Sequence, residues 1–414
     1  MSFHPSILLF LTCAASAWAG SVTLSVEGAA DYALKHNPTL AAARFRIEEA
    51  RGRLQQSGRL SNPELELDFT RNTIGREGSA GIALMQRLPL TARLRHERAV
   101  SRAELAAAES EVRDAGRKLT AEVRTAAVKL LALGGQRELR AKQLGNSREL
   151  FGFLRKRVET GEASAVDASQ VELESRQIEI ENLQLTADEA VLLGDLRPLL
   201  GIAGSDRIAI TGALPAPRAI PAASEVTTRP DLLAAQSRAE AARSVVLEQR
   251  ARRWEDIGAG ISYTRDRTLD APEPIETEQI IGFRFSMALP VWNDNSGRIR
   301  EAQAAAARAE KEVDATRLGA NAEVVAAVSA MSAYGKLISE LDGKVLPTAT
   351  QIVEQLRGSY STGQTAVTDV LRARTRLLEL QRQRLDALRD YHLARIRHAS
   401  ATASAMPAQG GASK

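Results

Sequence analysis

The chain is 414 residues long and 44% hydrophobic but only 4% aromatic, a balance that suits long helices packed through small side chains better than one thick globular core. Its 55 basic and 51 acidic residues are interleaved and leave a net charge of +4, so there is no basic patch of the kind a nucleic-acid binder needs. Residues 1–19 read as a secretory signal: Ile7–Ala17 is an apolar run, and Ala17-Trp18-Ala19 is a small-x-small cleavage site before Gly20. Cys13 is the only cysteine, and Phe10 and Thr12 stand where a lipoprotein signal carries Leu and a small residue, which favours cleavage over lipidation. Cleavage would leave a chain with neither disulfides nor thiolate metal sites. No later stretch reads as the ~20 apolar residues of a spanning helix.

After the signal, the chain is written twice. PTLAAARFRIEEAR from Pro38 matches PDLLAAQSRAEAAR from Pro230 at eight of fourteen positions, with an offset of 192. LPLTARLRHERAV from Leu88 lies over LPVWNDNSGRIRE from Leu289 at 201, and TGEASAVD from Thr160 lies over TGQTAVTD from Thr362 at 202. A duplication whose register slips by only one residue between the last two landmarks is under a geometric constraint there. The expected organisation is a first repeat over 20–200, a linker over 201–225, a second repeat over 226–402 and a disordered tail over 403–414.

Each repeat opens with a helix, marked by Asn37-Pro38 and Arg229-Pro230. A pair of strands follows, spanning 63–88 and 257–289. Leu65, Leu67 and Phe69 alternate with Glu64, Glu66 and Asp68; Ile82, Leu84 and Leu88 mark the second strand. The second hairpin shows Ile257, Ala259, Ile261 and Tyr263, then Ile281, Phe283, Phe285, Met287 and Leu289. Period two with one apolar face is a strand signal. A helix from about Thr91 to Val158 would be roughly 100 Å long, with a seam at Val112, Leu119, Val123, Ala126, Leu130 and Leu133 that Gly134-Gly135 and Gly145 weaken. Turns over 160–167 and 362–369 lead into return helices with leucine-type residues at sevens: Val171, Ile178, Leu185 and Leu192, then Leu371, Leu378 and Leu385. Pro347 predicts a kink or break in the second descending helix.

If the helices form a long bundle, they cannot cover the apolar strand faces. Lipid is the other solvent that accepts such a face, and strands of ~9–11 residues span an outer membrane. Trp254 and Trp292, flanking the second hairpin, would anchor one interface. Four strands cannot close a barrel, and hydrocarbon forbids open edges, so self-association is required. Three chains would give twelve strands around a lumen lined by Glu64, Glu66 and Asp68.

Taken together, the signal, the tandem helix–hairpin–long-helix–turn–helix unit, the Pro-x-Leu helix starts and the doubled TG-x5-D turn resemble the TolC family of outer-membrane efflux ducts across essentially the whole mature chain. Within it, LPVWNDNSGRI resembles the Leu-Pro-(apolar)-…-Asn-x-Asn-x-Gly segment of the cobalt–zinc–cadmium efflux branch. The resemblance implies a mainly α fold with a small β part: a homotrimer whose twelve-stranded outer-membrane β-barrel continues as a periplasmic α-helical coiled-coil barrel. It also implies a periplasmic membrane-fusion adaptor and an inner-membrane RND-type pump as partners. The turns at Thr160, Gly161, Thr362, Gly363 and Thr365 would form the adaptor-docking tip, and Asp369 matches an acidic position at the constriction, with Asp167 its repeat counterpart. Where drug-efflux relatives carry a second acidic residue and an Arg, this chain has Arg372 and Thr365. Both aspartates could alternatively N-cap the return helices.

No nucleophile–base pair, phosphate loop or metal cluster stands out, so neither catalysis nor a cofactor is expected. His36, His96, His392 and His398 read as surface or packing residues. Two other readings stay open: a duct of the same fold for drug efflux or type I protein secretion, and a soluble periplasmic coiled-coil scaffold or adaptor.

Overall fold

The computed structural model describes residues 21–404 except 74–76, 162, 203, 205, 222–224, 269–273 and 275. The signal segment 1–19 with Cys13, and the tail from 405 onward, lie outside the described residues. The chain begins with strand β1 (Ser21–Leu24) and helix α1 (Val26–His36). The first repeat then runs α2 (Pro38–Gln56), β2 (Glu64–Arg71), β3 (Gly78–Leu88), α3 (Arg93–Glu159) and α4 (Ala165–Leu200). Strand β4 (Arg207–Ile210) leads into the second: α5 (Pro230–Ala251), β5 (Ile257–Thr268), β6 (Glu276–Ser286), α6 (Ser296–Glu340), a π-helical turn (Leu341–Val345), α7 (Leu346–Ser361) and α8 (Val367–Ala401).

Local chemistry accounts for most boundaries. Asn37 Oδ1 accepts from the Leu40 N–H at 2.8 Å and so caps α2, with Pro38 at the first helical position. Its Nδ2 donates to the carbonyls of Leu199 (2.9 Å) and Pro198 (3.3 Å), tying the start of α2 to the end of α4. Gly201 ends α4 at φ 69, and a Cβ there would strike the His36 carbonyl oxygen, so glycine is needed for both conformation and space. Helix α3 runs unbroken for 67 residues, about 100 Å. Gly134, Gly135 and Gly145 do not interrupt it, and Gly135 faces Leu385 of α8. The expected break at Pro347 takes the form of the π turn: the Leu346 N–H reaches back five residues to the Leu341 carbonyl. Widening that turn accommodates a ring that can neither donate nor tolerate the i−4 carbonyl.

The predicted seam of α3 lies in the core, whereas Leu371, Leu378 and Leu385 of the second return helix are only half-buried. Leu119, Val123, Ala126 and Leu130 of α3 are buried with Leu196 and Leu200 of α4 and Ala29 and Ala33 of α1. A second cluster joins Met331 and Ile338 of α6 to Leu388 and Tyr391 of α8.

Two expectations need correction. Segment 201–225 is more than a linker: β4 pairs in parallel with β1, Ser21 opposite Arg207 through Leu24 opposite Ile210. Beyond it, the Tyr391 hydroxyl accepts from the Arg218 N–H (3.0 Å) and donates to its carbonyl (2.9 Å), and His392 Nε2 lies 2.8 Å from the Pro215 carbonyl. Four-residue strands so far apart in sequence carry no periodic signal, which is why pattern alone misses them. The second correction concerns Ser296–Ser361, which is long and apolar enough by composition to cross a membrane. In the fold it packs instead against α5 and α8, through residues such as Ala302, Val324 and Met331. Sequence pattern misses the stretch because alanine makes it apolar without a run of large side chains.

Candidate functional site

Two regions carry the predicted residues, the four-stranded sheet at one end and the paired turns at the other. The sheet has the order β2-β3-β5-β6, all antiparallel, so both hairpins join into one surface with β2 and β6 as its edges. The strands run further than the alternation implied: Arg71 still pairs with Gly78, and Thr268 with Glu276. The fourth strand, however, stops at Ser286. Met287, expected on the strand, lies on the connection to α6, and Leu289 with it. Gly258, the second residue of β5, is Ser286's partner, so little strand remains to pair with, and Pro290 removes a donor just beyond.

Residues directly opposite one another point to the same side of a sheet. The register therefore stacks Leu65–Leu84–Ile261–Phe283 and Leu67–Ile82–Tyr263–Ile281 as two continuous rows, with Gln86–Ala259–Phe285 below and Phe69–Ala80–Arg265–Gln279 above. The predicted apolar residues that lie on the four strands share this face. It is bare in the protomer: Phe283 is 75% and Phe285 76% exposed. Trp254 and Trp292 stand at the helix-proximal end, Trp292 at 96% exposure.

The opposite face is narrow and polar. It holds Gly258, Gly260 and Gly282, where an added Cβ would meet Ser286, Met85 and Ser262 side chains. Crowding there fits a polar face that is concave. Arg284 of β6 reaches Glu66 of β2 across two intervening strands at 3.7 Å, which a flat sheet would not permit. Arg87 pairs with Glu64 at 3.5 Å. By register, the concave face carries Glu64, Glu66, Asp68, Asp266, Glu276 and Glu278 against only Arg87 and Arg284. Of these, the alternation in the sequence picked out only the first three carboxylates.

At the far end, both turns meet. Leu154 and Val158 of α3, Ala168 and Val171 of α4, Tyr360 of α7, and Val367 and Leu371 of α8 form one apolar cluster. Gly161 and Gly363 both adopt φ 74, the left-handed conformation that lets each descending helix end and the chain reverse. Thr160 and Thr362 turn their hydroxyls back onto carbonyls of the preceding helix, Arg157 at 3.1 Å and Ser359 at 2.9 Å. Thr160, Gly161, Thr362 and Gly363 are exposed, and Thr365 is half-buried.

Neither aspartate is an N-cap. The cap of α4 is Ser164, whose Oγ accepts from the Val166 N–H at 3.2 Å; the cap of α8 is Ala366, which offers no side-chain bond. Asp167 and Asp369 sit in the first turn, two residues inside Ala165 and Val367, where a carboxylate favours the helix dipole. Both are half-buried. Asp369 lies 3.5 Å from Arg372, so part of its charge is offset. Burial pushes the Tyr360 phenol above its ordinary range; Arg157 opposes this and Asp167 adds to it, a sign that the first repeat's aspartate stands close to the second repeat's helix. Above the tip, the four helices enclose a cleft of about 560 Å³ lined in part by Glu149, Glu174, Glu354, Arg357 and Arg374. Burial raises the Glu174 carboxyl, with Arg374 opposing. Among the described residues, no three His, Cys, Asp or Glu gather as a metal site. In LPVWNDNSGRI, Asn293 and Asp294 build a turn by accepting from the N–H groups of Asn295 and Ser296, and Asn295 adopts φ 59 and donates to the Gln249 carbonyl at 2.7 Å. That segment has a structural task at the start of α6.

Solved structures share this architecture. CusC superposes with a TM-score of 0.76 at 18% identity, covering 92% of each chain. VceC from Vibrio cholerae gives 0.75 at 20% identity, covering 92% of this chain and 96% of that one. A membrane protein from Pseudomonas aeruginosa gives 0.77 at 19%, covering 93% and 91%. At these identities the likeness is one of fold. No curated protein matches the sequence. The family model described as outer membrane efflux protein matches residues 29–201 and 224–404, one span for each repeat. The chain therefore belongs to the outer membrane efflux protein family, the non-enzymatic trimeric channels with a periplasmic helical extension that serve tripartite efflux systems.

Proposed function

We propose that this channel passes cations, with heavy-metal ions as the cargo, as the exit duct for an inner-membrane RND-type pump joined to it by a periplasmic membrane-fusion adaptor. The observation that carries the cation reading is the charge of the concave face, six carboxylates against two guanidiniums per protomer. Three protomers arranged as a twelve-stranded barrel, β6 of one beside β2 of the next, turn that face into the lumen and the apolar face, with Leu65, Leu67, Phe69, Ile281, Phe283 and Phe285, toward lipid. Met287 then lies at the base of the lipid face, with Trp254 and Trp292 at the periplasmic interface. An acidic lumen concentrates cations and repels anions without holding them tightly, as passage requires.

At the other end, Asp167 and Asp369 ring the constriction, and the turns at Thr160, Gly161, Thr362, Gly363 and Thr365 meet the adaptor. The LPVWNDNSGRI segment supports the heavy-metal branch by resemblance; its structural role in the turn makes the lumen charge the stronger support.

Planar-bilayer recordings under a potassium chloride gradient test the reading. The wild-type channel is expected to prefer cations, and Asp68→Asn with Asp266→Asn and Glu278→Gln should reduce that preference. Asp167→Asn with Asp369→Asn should reduce it further and weaken block by multivalent cations, most visibly at low salt, since exposed charges are screened beyond ~10 Å at 0.1 M. Selectivity unchanged by both sets would overturn the cation reading. Loss of the gene should sensitise cells to cobalt, zinc or cadmium salts; sensitivity only to dyes and detergents would point to drug efflux, and loss only of an exported protein to secretion.

A further inference from the structure

Charge on the convex face is as one-sided as on the concave face, but of the opposite sign. The register places Arg71, Arg265 and Arg267 on the same side as Phe283 and Phe285, and no carboxylate of the four strands shares that side. The three are neighbours. Arg71 and Arg267 flank Gly78 in one row, and Arg265 lies beside Ala80 in the next. Glycine and alanine put no long side chain between the guanidiniums. All three side chains are exposed, and none has an ion-pair partner among the described residues, whereas Arg87 and Arg284 on the concave face are both paired.

Their height is also defined. Ten residues separate Ile257, at the base of the apolar face, from Arg267. That is about 34 Å of strand at ~3.4 Å per residue, or about 24 Å of height at the ~45° tilt of spanning strands. An outer-membrane barrel has an apolar band ~25 Å tall. The arginines thus stand at the edge of the band opposite the tryptophans, on the loop side of the strands. Arginine inside hydrocarbon is costly, whereas at the headgroup level it meets phosphate in a forked, charge-assisted geometry.

We propose that Arg71, Arg265 and Arg267 form a docking site for phosphorylated headgroups of outer-leaflet lipid. The site rests on the lipid-facing reading of the apolar face and would occur three times around the barrel. Each arginine near such a surface adds to binding, and three together should favour the phosphorylated lipid by on the order of a hundredfold.

Native mass spectrometry of the detergent-purified trimer can test this with two probes, a bisphosphorylated diglucosamine lipid and the same lipid stripped of its phosphates. The wild-type protein should retain the phosphorylated probe in strong preference. Arg71→Gln with Arg265→Gln and Arg267→Gln should abolish the preference while leaving general lipid uptake intact. Because the two probes are compared on the wild-type protein, the outcome does not depend on the variant folding. Equal retention of both probes would overturn the arginine site and leave the lipid face standing. A protein that retains neither probe and stays soluble without detergent would overturn the lipid face as well.

Discussion

In the first repeat the descending helix α3 crosses five glycines without a break, while in the second the corresponding path is interrupted at Leu341–Val345 ahead of Pro347. Glycine costs helix propensity of about 1 kcal/mol but keeps its N–H and clashes with nothing. Proline removes a donor and collides with the preceding turn. The return turns differ in a similar way. Both reverse through a glycine at φ 74, yet α4 starts from a serine cap and α8 from an alanine that caps nothing. The second repeat instead pairs Asp369 with Arg372 and anchors α8 to segment 215–218 through Tyr391 and His392. Duplication preserved the path of the chain, and each copy stabilises that path with different local chemistry.

The hairpins offer the largest test of this comparison. If both serve one lipid face, Phe283→Arg or Phe285→Arg in the second and Leu65→Arg in the first should each cost ~2–4 kcal/mol near the membrane midplane, and less toward its edges. Glu66→Gln on the concave face should leave assembly intact. The measurement is the fraction of heat-modifiable trimer in the outer-membrane fraction. Equal assembly by all four variants would remove the facing assignment; a loss confined to the second hairpin would mean that the two are not equivalent.

A smaller effect separates the tip turns. Ser164→Ala should destabilise the first turn by ~1 kcal/mol, and Ala366→Ser should stabilise the second by a similar amount if the serine adopts the cap geometry of α4. Hydrogen exchange at the starts of α4 and α8 would report both. Identical protection in the wild-type turns, unmoved by either change, would mean that the caps do not distinguish the repeats.

The smallest expected effect depends on pH and belongs to the second repeat alone. Burial holds His392 below the ordinary histidine value of 6.5; the Pro215 carbonyl opposes this, while Arg395 and Arg218 add to it. The folded state therefore favours neutral imidazole. Its contribution to stability is complete above pH 6.5 and declines as pH falls below that value, because the unfolded chain takes up the proton first. Exchange in segment 214–218 should accelerate from pH 7 to pH 5 in the wild-type protein and less so in His392→Gln, which keeps a donor for the Pro215 carbonyl. An identical pH response in the two proteins would exclude His392 as the cause.

Much of this molecule is decided locally, and that part is legible in the sequence alone. The period-two strands, the seam from Leu119 to Leu130, the glycine turns and the proline break are each decided by residues within a turn or two of one another. The duplication and its constant spacing then put both turns at one end and both hairpins at the other. What sequence could not decide is whatever depends on strand register or on pairs distant along the chain. Strands β1 and β4 are too short to announce themselves and exist because each completes the other. Ser164 rather than Asp167 caps α4, since backbone geometry at the turn, three residues earlier, selects the acceptor. Which carboxylates are paired, and the division of the sheet into an acidic concave face and an apolar convex face whose only charges are arginines, follow from a register linking residues about 200 positions apart. A shift of one residue would reverse every side chain on a strand. Composition and alternation fix what each strand can present; only the closed pairing of both hairpins decides which side presents it.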